Sequence, residues 1–268
     1  METFTLSNGV KIPAIGIGTY LSSPEAAYQA VRWALEIGYR HIDTAAYYQN
    51  EEAVGRAIRD SSVSREELFI TTKLWHTDHG RAREAFQENL GRLGLEYADL
   101  YLIHWPLPGF VQAWDVLREL EDAKLCRAVG VSNFLPEHLE QLSSVPLVNQ
   151  FECSPFLNQH ELRAYCRKKG IQTESYSPLT RGDKLHDERI VSIAKAIDRT
   201  PAQVMLRWNL QHGNVILPKS THRERIEENF RLDFTLSPEH MKLLDSMDEG
   251  FRKAPDPHDL AAHFGGRR

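Results

Sequence analysis

Short apolar runs alternate with longer amphipathic stretches along almost the whole chain. The runs "AIGIGT", "RHIDT", "LFITTK", "DLYLIHW", "RAVGVS", "LVNQ", "IQTESY" and "VILPKS" have the length and side-chain character of strands. Between them, apolar residues at helical spacing predict helices over 24–37, 51–60, 81–91, 110–123, 136–143, 160–169, 201–212 and 223–230. An additional one, over 187–197, precedes the seventh of these. Ser23-Pro24 before Glu25, Asn50 before two glutamates and Thr200-Pro201 read as helix caps. Ahead of the first unit, "FTLSNGVKI" reads as a β-hairpin turned at Asn8-Gly9.

Eight strand-helix units in one chain of 268 residues predict a (β/α)8 TIM barrel, in the α/β class, forming a single domain over 1–268. The competing layout is a doubly wound sheet. The strand ends decide between them: Thr19, Asp43, Lys73, His104, Ser132-Asn133, Gln150, Tyr176 and Lys219 are all polar. A barrel gathers these ends into one ring at its mouth, which explains the run of polar termini. A doubly wound nucleotide fold calls for GxGxxG early, and "GIGTY" supplies only its first two glycines.

Composition narrows the functional classes. A hydrophobic share of 41% and a charged share of 26% are those of an ordinary globule. A net charge of −5, with Lys and Arg scattered, provides no basic face for nucleic acid and no polybasic membrane anchor. Neither partner is expected, and a monomer is. Cys126, Cys153 and Cys166 are odd in number and far apart, so no disulfide framework or CxxC metal knuckle is read from them. The start, "METFTLSNGVKIP", lacks a basic segment followed by an apolar one, and the expected location is the cytoplasm. "FRKAPDPHDLAAHFGGRR" reads as a short tail over the surface.

The ring contains a chemistry. Asp43, Tyr48, Lys73 and His104 come from the ends of neighbouring barrel strands. A free tyrosine, with a pKa near 10, is a weak acid for a developing alkoxide at neutral pH. An ammonium at its oxygen favours the phenolate, so Lys73 is expected to lower that pKa, and Asp43 to keep the lysine charged. His104 is placed to hold a carbonyl oxygen in line with the tyrosine hydroxyl. Together these roles describe carbonyl reduction, given a hydride source. Each residue also has a plainer reading: Asp43 and Lys73 as a structural ion pair, Tyr48 as a loop aromatic, His104 as a core histidine. Ser132, Asn133 and Gln150 would then only cap helices, Tyr176 would be rim packing, and Lys219 with Arg225 a solvated helix start. His76 and His79 stand at metal-pair spacing but lack a third ligand, and no metal is expected.

The segments "NGVKIPAIGIGT", "GYRHIDTAAYYQNEEAVG", "FITTKLW", "DLYLIHWP", "AVGVSNF", "VNQFE", "SYSPL" and "LPKSTHRERIEEN" cover nearly the whole chain and resemble the aldo-keto reductase superfamily. Within it, the brevity after "HWP" is similar to bacterial 2,5-diketo-D-gluconate and methylglyoxal reductases. The resemblance implies a catalytic tetrad of Asp43, Tyr48, Lys73 and His104, with Tyr48 as proton donor. It implies an NADPH/NADP+ cofactor across the barrel mouth, its carboxamide held by Ser132, Asn133 and Gln150 and its ring on Tyr176. Thr19, Asp43, Ser177 and Leu179 line the same cofactor. Lys219, Ser220 and Arg225 meet the 2′-phosphate, and Glu228 and Asn229 the adenine. Independently of family, cations and backbone N–H groups around Lys219 and Ser220, at a helix start, suit an anion. His222 departs from the small hydroxyl or amide more common at its position.

The expected substrate is a small carbonyl compound, with Tyr20 and Trp105 as walls beside Tyr48 and His104. The loops "WPLPG" and "SPLTRGDKLH" are short, and the tail offers Phe264 as its large apolar wall, so an open pocket and small polar carbonyls are expected over steroids. Two rivals remain at this stage. A metal-dependent barrel hydrolase needs a His/Asp/Glu cluster, where the ring has only His104 and Asp43. A nicotinamide-binding regulatory subunit with little turnover needs an additional interaction segment.

Overall fold

The computed structural model describes residues 2–264. A hairpin of β1 (Thr3–Thr5) and β2 (Lys11–Pro13) precedes eight parallel strands: β3 (Gly16–Gly18), β4 (His41–Asp43), β5 (Phe69–Leu74), β6 (Ala98–Ile103), β7 (Cys126–Ser132), β8 (Val148–Glu152), β9 (Gln172–Tyr176) and β10 (Val215–Leu217). They pair in sequence order. Ile15 bridges Ile216, and the Gly18 N–H donates to the Pro218 carbonyl at 3.0 Å, which brings the last strand back to the first. The expected barrel is therefore the fold.

Helices α1 (Pro24–Ile37), α2 (Glu51–Arg59), α3 (Ala82–Leu93), α4 (Phe110–Asp122), α5 (Pro136–Leu139), α6 (His160–Lys169), α7 (Glu188–Ala196), α8 (Pro201–Gln211) and α9 (Arg223–Phe230) follow the predicted units closely. Ser23 caps α1 by accepting from the Ala26 N–H, and Thr200 and Gln203 form a reciprocal capping box on α8. α5 is shorter than predicted. Ser144 accepts from the Trp114 indole at 3.1 Å and Ser143 donates to Asp115 at 2.6 Å, so these side chains draw the segment toward α4. Two helices were not anticipated, α10 (Pro238–Asp245) and α11 (Leu260–Phe264). The first has a legible start, Ser237-Pro238, with the serine accepting from the His240 N–H.

Alternation along each strand sends one set of side chains into the barrel and the other toward the helices. Leu6 and Ile12 of the hairpin segment pack with Phe69, Leu100, Leu102, Ala128, Val148 and Val215 and close the lower end. Above this apolar floor lie His41, Thr71 and Glu174, all buried, and then Asp43, Lys73 and Gln150. Gly16 makes room for this polar layer, since a Cβ there would stand 2.8 Å from the His41 ring. The outward faces of the strands join two large apolar clusters with the helices. All three cysteines are buried and unpaired.

Candidate active site

Backbone hydrogen bonds continue one step past several strand ends and fix the residues at the mouth. Thr19 N–H donates to the Asp43 carbonyl, Thr44 to Thr71, His104 to Leu74 and Asn133 to Gln150. Tyr48 lies in a short helical turn over 46–48 directly after β4. Lys73 is wholly buried, and its ammonium donates to Asp43 Oδ1 at 2.6 Å, the Thr44 carbonyl at 2.9 Å and the Tyr48 hydroxyl oxygen at 3.3 Å. An ammonium has three donors, and all three are used. The Tyr48 and His104 rings meet edge to face with centroids 5.6 Å apart. The four residues named from the sequence thus converge.

Asn50, read as a cap for α2, makes no capping bond. Its buried amide donates to the carbonyls of Thr19 and Ser22 and accepts from the Thr44 hydroxyl, clamping the first two mouth loops together.

Electrostatics correct one expectation. Tyr48 is held well above its ordinary pKa, by burial first and then by the Asp43 charge. The Lys73 ammonium does not bring it below its ordinary value in the resting protein, because burial and the Asp43 charge outweigh it. Tyr48 therefore keeps its proton until negative charge develops on a partner. His104 is pushed well below its ordinary value by burial and by the Lys73 charge, so it is a neutral imidazole near pH 7. Deeper in the barrel, burial and the Asp43 charge raise Glu174 to about 8.

The remaining mouth residues divide into two groups. Gln150 donates from Nε2 to Asp43 Oδ2 at 2.9 Å and to Glu174 Oε2 at 2.7 Å. Asn133, in the left-handed conformation at φ 65°, donates to the His104 carbonyl and to Ser132 Oγ and accepts from the Tyr176 hydroxyl at 2.7 Å. Its amide is largely committed within the protein. Ser177, also left-handed, and the half-buried Leu179 follow β9.

At the far rim, Lys219 is exposed and among the described residues reaches only the Leu21 carbonyl, at 3.5 Å. Arg225 is exposed, and among the described residues neither cation pairs with a carboxylate. Arg223 is different, since Glu36 accepts from it at 2.9 Å. Ser220 is buried beside them and accepts from the His222 N–H. Two uncompensated cations and a hydroxyl are a donor set that fits a phosphate. Glu228 turns toward the start of α8, accepting from Thr200 at 2.6 Å, and Asn229 is buried.

Around the Tyr48 hydroxyl the wall is more aromatic than expected. Tyr20 lies against Tyr48 at 5.0 Å, and Arg181 sits 5.4 Å from the Tyr20 ring centroid. Trp75 stacks on Tyr47 at 3.9 Å and meets His104 edge to face at 5.1 Å. Neither Tyr47 nor Trp75 is marked as a wall residue by the sequence, although Trp75 directly follows the strand run "FITTKL". Trp105 is buried and packs against Phe264, which also touches Trp75 and His76. The tail therefore runs over the mouth rather than the outer surface. Glu152, at the end of β8, anchors it by accepting from the Lys253 and Ala254 N–H groups. His79 is buried against the Pro108 carbonyl. Among the described residues no three His, Cys, Asp or Glu side chains are grouped to hold a metal, and no helix is long and apolar enough to cross a membrane.

Comparison with known proteins gives a consistent picture. A model of the aldo/keto reductase family matches residues 14–249. Methylglyoxal reductase DkgA of Escherichia coli (strain K12) is 44% identical over 271 residues, covering 97% of this chain and 97% of that protein. Glyoxal reductase of Bacillus subtilis (strain 168) is 46% identical over 269 residues, again with 97% of each covered. Among solved structures, an aldo-keto reductase from a Medee basin deep-sea metagenome library superposes with a TM-score of 0.92 at 44% identity, covering 94% of this chain and 97% of that one.

Proposed function

The chain belongs to the aldo/keto reductase family, and from that premise we propose that it reduces small aldehydes and ketones to alcohols with NADPH, Tyr48 giving the proton. The observation that carries this reading is the buried Lys73 ammonium, whose three donors go to Asp43, Thr44 and Tyr48. A bound nicotinamide supplies the hydride. Neutral His104 holds the carbonyl oxygen beside the Tyr48 hydroxyl. As the alkoxide charge develops, Tyr48 releases its proton, and the hydrogen bond from Lys73 stabilises the phenolate left behind. Asp43 holds the Lys73 ammonium against the Tyr48 oxygen. Gln150, Ser132 and the remaining lone pair of Asn133 Oδ1 would hold the carboxamide, Tyr176 the ring, and Lys219, Ser220 and Arg225 the 2′-phosphate.

Methylglyoxal, other short aldehydes and diketo sugar acids are the proposed substrates. The names of the two curated relatives support a small dicarbonyl. The open pocket expected from the short loops is not found, since Tyr20, Tyr47, Trp75 and Trp105 wall the mouth and Phe264 lies across it; the preference for a compact ligand rests on the limited room under that cover rather than on a lack of apolar wall. Measuring kcat/KM for methylglyoxal and for a ketosteroid at one NADPH concentration tests this. Methylglyoxal turnover well above the steroid's is expected, and a clear steroid preference, or no NADPH oxidation with either, contradicts the proposal.

A further inference from the structure

Glu174 is wholly buried on the inner face of β9, and neither the proton donor nor the phosphate site makes use of it. A carboxyl group in a barrel interior is costly, so its partners are informative. Gln150 Nε2 has two hydrogens. One goes to Asp43 Oδ2 at 2.9 Å, the other to Glu174 Oε2 at 2.7 Å. With both taken, the amide orientation is determined and Gln150 Oε1 is turned away from both carboxyl groups, where among the described residues no donor meets it. Flipping the amide would set that oxygen against the Asp43 carboxylate.

We infer that Glu174 is a positioning residue for the cofactor: it locks the Gln150 amide so that Oε1 accepts from the N–H of a nicotinamide carboxamide. The inference rests on the reductase reading above. Asp43 alone leaves one amide hydrogen unsatisfied, and an amide held at one point can rotate. Glu174 supplies the second point.

The surroundings require Glu174 to act as a neutral acid. Facing it are His41 and Asp43 on β4, Thr71 and Lys73 on β5, Gln150 on β8 and the apolar Val215 on β10. The single ammonium is already paired with Asp43. Among the described residues Glu174 Oε1 has no hydrogen-bond partner, lying 3.6 Å from His41 Nε2, and burial keeps His41 uncharged. An ionised oxygen there would be uncompensated, consistent with the upward shift of its pKa.

Glu174→Thr separates positioning from a merely structural role. Threonine suits a strand interior but is too short to reach Gln150. Fluorescence titration of the E174T protein should show NADPH binding about tenfold weaker, the loss of roughly one hydrogen bond. Binding of the 3-acetylpyridine analogue of NADPH, which lacks the carboxamide N–H, should stay close to the wild-type level. E174Q retains an acceptor for Gln150 and should recover most of the NADPH affinity. Unchanged NADPH binding in E174T, or equal loss for both cofactors, overturns the inference. Were E174T not to fold, the wild type decides: both Gln150 amide protons should exchange slowly in nitrogen-15 spectra of the cofactor-free protein, and fast exchange overturns it. A wild-type protein that binds neither cofactor overturns the reductase reading itself.

Discussion

The Lys73 ammonium and the Asp43 carboxylate meet at 2.6 Å, with the lysine side chain fully shielded from water. A buried pair of this kind adds little net stability against an apolar replacement, but removing one partner strands the other's charge. Its value here is that it places a lasting positive charge against the Tyr48 oxygen.

Lys73→Met therefore has two effects. Among the described residues the Asp43 carboxylate keeps only Gln150 as a side-chain donor, and urea unfolding should show a loss of about 3–5 kcal/mol. The Tyr48 phenolate loses its cation, and kcat should fall at least ~10²-fold. Wild-type stability together with wild-type kcat would show that the pair is ornamental to both.

Arg225 is an exposed cation without a carboxylate partner among the described residues, which suits a 2′-phosphate. Its contact should contribute about 1 kcal/mol after solvent screening. Arg225→Ala is expected to weaken NADPH binding about fivefold and NADH binding hardly at all. Fluorescence titration with both cofactors checks this, and equal losses would remove Arg225 from phosphate recognition.

Stability against pH reports on His41. Burial lowers its pKa from 6.5 to about 3. Between those values the unfolded chain binds a proton that the native chain does not, so this contribution is complete above pH 6.5 and is lost as pH falls toward 3. Glu174 acts with the opposite sign, its contribution being present below pH 4.5 and lost as pH rises toward 8. In His41→Gln, the slope of unfolding free energy against pH between 3 and 6.5 should be lower than wild type by about 1.4 kcal/mol per pH unit, which makes it negative where Glu174 alone titrates. Parallel slopes would mean that His41 is charged in the folded protein.

Much of this architecture was legible because parallel strands buried on both faces become short apolar runs, and a polar residue stands at or within two positions of each strand's mouth end, as Thr19 does after Gly18, Lys73 before Leu74, His104 after Ile103 and Lys219 after Leu217. "LFITTK" shows both features: all six residues of β5 are buried, and Lys73 is the inward polar one near its end. The convergence of Asp43, Tyr48, Lys73 and His104 followed from the barrel order. Three-dimensional competition was not legible. Asn50 has cap chemistry, yet two backbone carbonyls and a threonine draw its side chain away from α2. Lys73 is expected to acidify Tyr48, but burial of the phenol and the nearby Asp43 charge together outweigh the ammonium. Glu174 was part of the quoted "IQTESY", where strand alternation alone assigns it to the barrel interior without naming Gln150 as its partner. The tail's path depends on Glu152 capturing two backbone N–H groups, which has no local signature.

Tyr48→Phe tests the central claim most directly, because it removes one proton and leaves the ring in contact with His104 and Tyr20. Steady-state reduction of methylglyoxal by the variant should be at least ~10²-fold slower in kcat, with the NADPH dissociation constant nearly unchanged. A Tyr48→Phe protein that turns over at the wild-type rate while binding NADPH normally would contradict the assignment of Tyr48 as the proton donor.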